Sequence, residues 1–265
     1  MGRMKRSNKV VNRVQAIQTE LLRNGRITVQ QLAEQLNVSV ATVRRDLTEL
    51  QRSGGLRRTH GGAIPLEPLL YEPFKHDSTF QEQIERHAEE KRRIGVAAAE
   101  MIDDGQMVAF TAGTTTTQVA RSILVDRRVT VVTNTVNVAM ELSGRSNIKV
   151  IVTGGQLHGG WFSVVGPQAI HAVRQMVFDI LFIGVDALDL DRGLMTHYLE
   201  EAALNSAMIQ QATRKIVTVD HSKFGKVAHH VFGKLADVDL IITDTDVPQS
   251  VVDVYQARGV EIKRV

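Results

Sequence analysis

Apolar positions near the start of the chain recur with a helical period. Val10, Val14, Ile17 and Leu21 stand four, three and four residues apart, which puts one stripe on a helix that Gly25 would end in a left-handed turn. Thr28 and Gln31 form a capping box for a second short helix with Val29, Leu32, Ala33 and Leu36 inward, and Asn37 then turns the chain. Ser39 caps a third helix. Counted at 100° per residue, Val43, Leu47 and Leu50 fall within about 60° of one another. Ala41, Arg45, Thr48 and Arg52 lie opposite, flanked by Thr42 and Arg44. After Gly54-Gly55, the segment from Leu56 to Ile64 reads as a small hairpin with a glycine-rich end.

Further along, the pattern changes to short β-branched runs: MVAFT, VTVVT, IKVIVT, DILFIGV, KIVTV, VDLIITD and VEIKRV. Helical stretches separate most of them, which predicts α/β layers around a mainly parallel sheet. Between the two patterns Pro65, Pro68 and Pro73 forbid a continuous helix. The expected organisation is a helical reader over 1–64, a linker over 65–88 and an α/β domain over 89–265.

Charge sharpens this division. The net charge of +3 conceals 12 Lys+Arg against 4 Asp+Glu in residues 1–64, or +8, and 20 against 25 in the rest, or −5. A basic module on an acidic domain points to nucleic acid. With 265 residues and 43% hydrophobic content, both parts have material for a core. The lack of cysteine excludes disulfides, thiolate metal sites and a cysteine nucleophile, and fits a reducing cytoplasm. No apolar run approaches the roughly 18 residues of a membrane span, and the basic start lacks a signal peptide's apolar core. The expectation is a cytoplasmic protein without membrane contact.

Two short helices joined by a tight turn, the second apolar inside and Arg/Thr outside, match a helix-turn-helix whose second helix enters the major groove of duplex DNA. The planar fork of Arg44 and Arg45 suits guanine edges and phosphate oxygens, while small Ser39, Ala41, Thr42 and Thr48 let the helix approach. The hairpin is a wing, with Arg57, Arg58 and His60 toward the backbone or an adjacent minor groove.

In an open α/β sheet, ligands gather at the carboxyl ends of strands. There the sequence places Thr111-Ala112-Gly113-Thr114-Thr115-Thr116-Thr117, a phosphate cradle or simply a helix cap, and Asn134, where a cap is again the alternative. Asp186, with Asp189 and Asp191 behind it, is a ligand group or a loop acid. Glu200 and Glu201 open a helix where the dipole favours negative charge, and Lys223 follows Asp220 and Ser222.

VSVATVRRDLTEL followed by LRRTHGGA closely resembles the N-terminal signature of the DeoR family of bacterial transcriptional regulators. AGTTTT, VVTNTVNVA, FIGVDALDLDRGLMTH, EEAALNSAMI and VDHSKFG are similar to its sensor-domain blocks. The resemblance implies a winged helix-turn-helix joined to a sensor resembling sugar-phosphate isomerases. It also implies that Gly113, Thr114, Thr115, Thr116, Asn134, Asp186, Glu201 and Lys223 surround a phosphorylated sugar. FDILFIGVDALDLDRG and EEAALN are most similar to regulators of N-acetylgalactosamine utilisation, which favours an amino-sugar phosphate. Many relatives carry aspartate where Thr111 stands and lysine where Asn205 stands, so the effector contacts differ here.

The rival reading is an isomerase, with Asp186 and Asp189 as paired acids. Those enzymes carry a lysine soon after the acids, whereas LDLDRGLMTH offers Arg192, which does not give up its proton. His158 and His229-His230 lack spaced metal-ligand partners, and Trp161 beside Phe162 reads as a core or interface anchor. No cofactor and no metal are expected. One recognition helix covers few base pairs, so a homo-oligomer, dimer or tetramer, is expected on operator DNA.

Overall fold

In the computed structural model, residues 13–14, 16–21, 24–52, 56–64, 78–158 and 162–265 are described. Val10, Gly54-Gly55, the three linker prolines and Trp161 lie outside them.

Local signals shape the reader. Helix α1, through residues 13–14, 16–21 and 24, ends where the Gly25 N–H donates to Leu21 O at 2.9 Å, with Gly25 at φ 69°. Strand β1 (Ile27–Thr28) leads into α2 (Val29–Gln35), where both bonds of the Thr28–Gln31 capping box are present. Asn37 turns at φ 50°, and the Ser39 hydroxyl accepts the Thr42 N–H at 3.2 Å to open α3 (Val40–Arg52). The wing is β2 (Arg57–Arg58) and β3 (Gly62–Ile64), to which β1 adds as a third antiparallel strand in the order β1-β3-β2. Ile17, Leu21, Leu32, Val43, Leu47, Leu50 and Leu56 close one core. One acid belongs to that inner face: buried Asp46 takes a two-pronged contact from Arg13 on α1, Nε to Oδ2 at 2.5 Å and Nη2 to Oδ1 at 3.0 Å.

The next described elements are α4 (Ser78–Glu85), which falls within the stretch read as linker, and α5 (Ala88–Ala99). Then come β4 (Met107–Phe110), α6 (Thr114–Ser122), β5 (Val129–Thr133), α7 (Val136–Ser143) and β6 (Ile148–Val152). A hairpin, β7 (Gln156–His158) and β8 (Ser163–Val165), precedes α8 (Pro167–Arg174) and β9 (Phe178–Ile183). The remainder comprises β10 (Ala187–Asp189), β11 (Gly193–Thr196), α9 (Leu199–Gln211), β12 (Ala212–Thr218), β13 (His230–Gly233), β14 (Leu240–Thr243), α10 (Gln249–Gln256) and β15 (Glu261–Arg264).

All seven β-branched runs enter one parallel sheet, in the order β15-β14-β12-β9-β4-β5-β6. Helices α5, α6 and α7 cover one face and α8, α9 and α10 the other, each over its own apolar core. Growth of the sheet reverses between β4 and β9, which makes a crevice at their carboxyl ends. Strands β10, β11 and β13 form a small antiparallel sheet at that end, a feature the sequence pattern does not announce.

Candidate functional site

A cavity opens at this switch point. Ala112, Gly113, Thr114 and Thr115 line it after β4, Gly184, Val185 and Asp186 after β9, and Thr218, Val219, Asp220 and Lys223 after β12. Thr196, Glu201, Asn205 and, from α4, Gln83 complete the wall. Two glycines let β4 and β9 approach: Gly113 has φ 154°, and a Cβ on Gly184 would lie 2.7 Å from Ala112 O. The Thr111 hydroxyl is buried between the same strands and accepts the Gly184 N–H at 2.9 Å, so it ties the strands together.

Gly113 supplies no side-chain cap to α6. The residues of its first turn, Thr114 and Thr115, line the cavity, so its free backbone N–H groups and the positive end of its dipole stand there, an arrangement that suits an anion. Lys223 lines the same cavity. Acids line the same cavity: Asp186 is held by the Thr196 hydroxyl at 2.8 Å and the His197 N–H at 3.0 Å. Burial, with Asp186 adding to it, raises the Glu201 carboxyl above the usual range despite a 2.7 Å hydrogen bond donated by Ser163. Asp220 goes the other way, because bonds from Ser222 and the charges of Lys91 and Lys223 outweigh its burial. Lys91, buried, is pushed down to about 8 by desolvation against the pull of Asp220, and donates to Gln83 O.

Six of the eight sensor residues picked out by resemblance, Gly113, Thr114, Thr115, Asp186, Glu201 and Lys223, line this one cavity. Thr116 and Asn134 do not. The Thr116 hydroxyl turns back to Thr111 O and Gly113 O, both at 2.9 Å, because it faces the helix start from inside. Asn134 is fully buried, and its amide has no hydrogen-bond partner among the described residues. Sequence reasoning missed Gln83, Thr196 and Thr218. Asn205, 4% exposed and one turn beyond Glu201, leaves Oδ1 unpartnered among the described residues, as Thr218, 1% exposed, leaves its hydroxyl. The threonine one place before the end of the KIVTV run was the available signal for Thr218.

On the reader, Ser39, Ala41, Arg44 and Arg45 are exposed, with Thr42 and Thr48 half-buried beside them. Exposed Arg57, Arg58 and His60 belong to the wing. Part of this surface is already bonded: Ser39 caps Thr42, Thr48 donates to Arg44 O at 2.8 Å, and Arg58 reaches the Thr48 hydroxyl at 2.9 Å. Thus the wing is fastened to the third helix.

Two family models match the chain: the DeoR-like helix-turn-helix domain over residues 13–68 and the DeoR C terminal sensor domain over 86–245. The HTH-type transcriptional regulator GlpR of Haloferax volcanii is 35% identical over 89% of this chain and 90% of its own. The chain belongs to the DeoR family. It is a DeoR-type transcriptional regulator rather than an enzyme. An Escherichia coli O157:H7 protein named as an aga operon transcriptional repressor is 34% identical over 97% of this chain and 95% of its own. The solved ribose 5-phosphate isomerase A of Methanocaldococcus jannaschii matches 53% of this chain and 56% of its own at 16% identity and a TM-score of 0.40, too distant a likeness to speak to chemistry.

The geometry of this DeoR-family sensor also dissolves the isomerase-like acid pair. Asp189 Oδ1 accepts the N–H groups of Asp191 and Arg192 at 3.2 and 2.9 Å, which makes it the acid of a tight turn, outside the cavity wall. His221, Asp244 and Asp246 stand close enough for a cation. Asp244, however, already takes the N–H groups of His221 and Asp246 at 2.8 and 2.9 Å and faces the His221 ring nitrogen at 3.0 Å, so the cluster locks a turn.

The raised Glu201 carboxyl has a consequence for stability. The folded state holds its proton more tightly than the unfolded chain, so this group's contribution falls as pH rises from the ordinary glutamate range through its folded value. Glu201→Gln should therefore raise Tm at pH 8 and leave it unchanged near pH 4. Melting curves at both values check this, and an equal shift at both would exclude the titration.

Proposed function

We propose that this regulator represses sugar-utilisation genes by binding operator DNA as a dimer or tetramer in the cytoplasm, and that a phosphorylated sugar, favoured as an amino-sugar phosphate, releases it. The carrying observation is that the uncapped α6 start and Lys223 share one cavity with Asp186 and Glu201. Lys223 and the α6 start suit a phosphate through charge-assisted hydrogen bonds, and the Asp186 and Glu201 carboxyls suit hydroxyl or amine groups. Asn205 Oδ1 and the Thr218 hydroxyl, without partners among the described residues, add contacts for the uncharged part of the sugar. The similarity to regulators of N-acetylgalactosamine utilisation supports the choice of sugar.

In this reading the units are residues 1–64, a linker over 65–88 and the sensor over 89–265. Arg44 and Arg45 read the major groove with Ser39, Ala41, Thr42 and Thr48 alongside, and Arg57, Arg58 and His60 hold the backbone. The test is an operator duplex selected from random sequence and titrated with galactosamine 6-phosphate, galactosamine and other sugar phosphates. Release by the phosphorylated form alone is the expected result. Equal response to the free sugar would remove the phosphate from the mechanism, and failure to select any duplex would remove the reader.

A further inference from the structure

Reader and sensor touch through a buried amide. Gln18, on α1, is 2% exposed; its Nε2 donates to Ile123 O at 3.2 Å, and its Oε1 accepts the Val125 N–H at 2.9 Å. A carboxamide carries donor and acceptor on one plane, and here both match the backbone of a single short segment. The Val125 side chain packs against the reader's own core.

That segment is the exit of α6. Arg145, itself buried, donates to Ile123 O at 2.7 Å and Leu124 O at 2.9 Å, holding the carbonyls at the negative end of the helix. The opposite end of the same helix lines the effector cavity with Gly113, Thr114 and Thr115. Nine residues span roughly 13 Å, so one rigid element touches both the cavity and the reader.

Several contacts make α6 move as a unit. The Thr116 and Thr117 hydroxyls bond back to Gly113 O at 2.9 and 2.8 Å. Gly95 of α5 lies so close that a Cβ there would meet the Gln118 backbone at 2.7 Å. An anion at the start of α6 gains by closer approach to its N–H groups, and a shift of a few tenths of an ångström is felt at the far end. The Gln18–Ile123 bond, at 3.2 Å, shares its acceptor with the 2.7 Å bond from Arg145, so it is the longer of the two contacts on that carbonyl.

We infer that Gln18 is a positioning residue of the regulator: it reads the position of α6 from the reader side, and so passes an anion bound at Gly113–Thr115 to the DNA-binding module. This rests on the anionic-effector reading for its physiological ligand, but not for the coupling itself.

The test uses the full chain. Gln18→Leu removes both bonds, and amide exchange at Val125 should rise about tenfold or more; unchanged exchange would overturn the docking. Thr114→Glu puts a carboxylate at the start of α6 in place of a ligand. Affinity for a selected operator duplex is then measured in wild type, each single variant and the double variant. Thr114→Glu should change affinity by about fivefold or more with Gln18 present and by less than about twofold with Gln18→Leu. Equal factors, or no effect with Gln18 present, would overturn the coupling.

If Gln18→Leu melts early, Gln18→Glu keeps the acceptor for Val125 and loses the donor to Ile123. It should show a coupling factor reduced at least twofold. A separate titration with galactosamine 6-phosphate isolates the effector reading: failure to bind sinks that reading while leaving the four-protein comparison intact.

Discussion

Asp46→Ala is expected to destabilise the reader by about 3 kcal/mol and to abolish operator binding at temperatures where the wild type binds. Asp46 is 2% exposed, and its carboxylate takes the Arg13 fork from α1, whose own side chain is 15% exposed. Removing one partner of such a pair strands the other charge beside an apolar core, which costs about 3–5 kcal/mol; the remaining water access of Arg13 places this case at the lower end. A module whose core, among the described residues, holds nine buried apolar side chains has little stability to lose. Urea melts should show the early transition, with the sensor's own transition unmoved. Replacing both residues, Arg13→Met with Asp46→Leu, should recover most of the loss. An unchanged melt for Asp46→Ala would mean that the pair contributes nothing.

That residue also shows where sequence reading stops. On the helical wheel Asp46 lies about 60° from Val43, on the inner flank of α3, so its burial was available from the period. Its partner was not, since Arg13 stands 33 residues away. What was legible was local. The Gly25 stop, the Thr28–Gln31 box, the Asn37 turn and the Ser39 cap each depend on residues within four positions. The seven parallel strands were legible because buried parallel strands are continuous β-branched runs, and their carboxyl ends then had to converge at the crevice.

The errors within the site have the same origin. A threonine run at a helix start reads as one cradle, yet 100° per residue turns Thr116 away from Thr114 and into the strand ends. Gln83 reaches the cavity from a helix in a segment whose prolines suggested only a linker. Gln18 looks like any polar residue beside the Ile17 stripe, because what buries it is a segment 105 residues on. Contacts between the reader and the sensor carry no local signature.

Lys223→Ala is expected to leave duplex affinity within about twofold and to weaken a phosphorylated effector by roughly 10- to 150-fold, the loss of one charge-assisted hydrogen bond of about 1.5–3 kcal/mol. Lys223 lines the sensor cavity and belongs to no element of the reader, so the reader keeps its DNA contacts. In the cavity, Lys223 stands beside Asp220, whose carboxyl is held below its ordinary range by Ser222, Lys91 and Lys223 together. Without Lys223 that carboxylate stays ionised through Ser222 and Lys91, and now faces the phosphate without a counter-charge. The α6 N–H groups still attract the anion, so binding is weakened rather than lost. A free sugar has no phosphate to miss and should bind the variant and the wild type alike. Asp186→Asn should do the reverse, changing which sugar is preferred while phosphate dependence persists. Calorimetry of both variants with galactosamine 6-phosphate and galactosamine separates the phosphate contacts from the sugar contacts. Equal losses for the phosphorylated and free sugars in Lys223→Ala would show that the lysine supports the fold and not the phosphate.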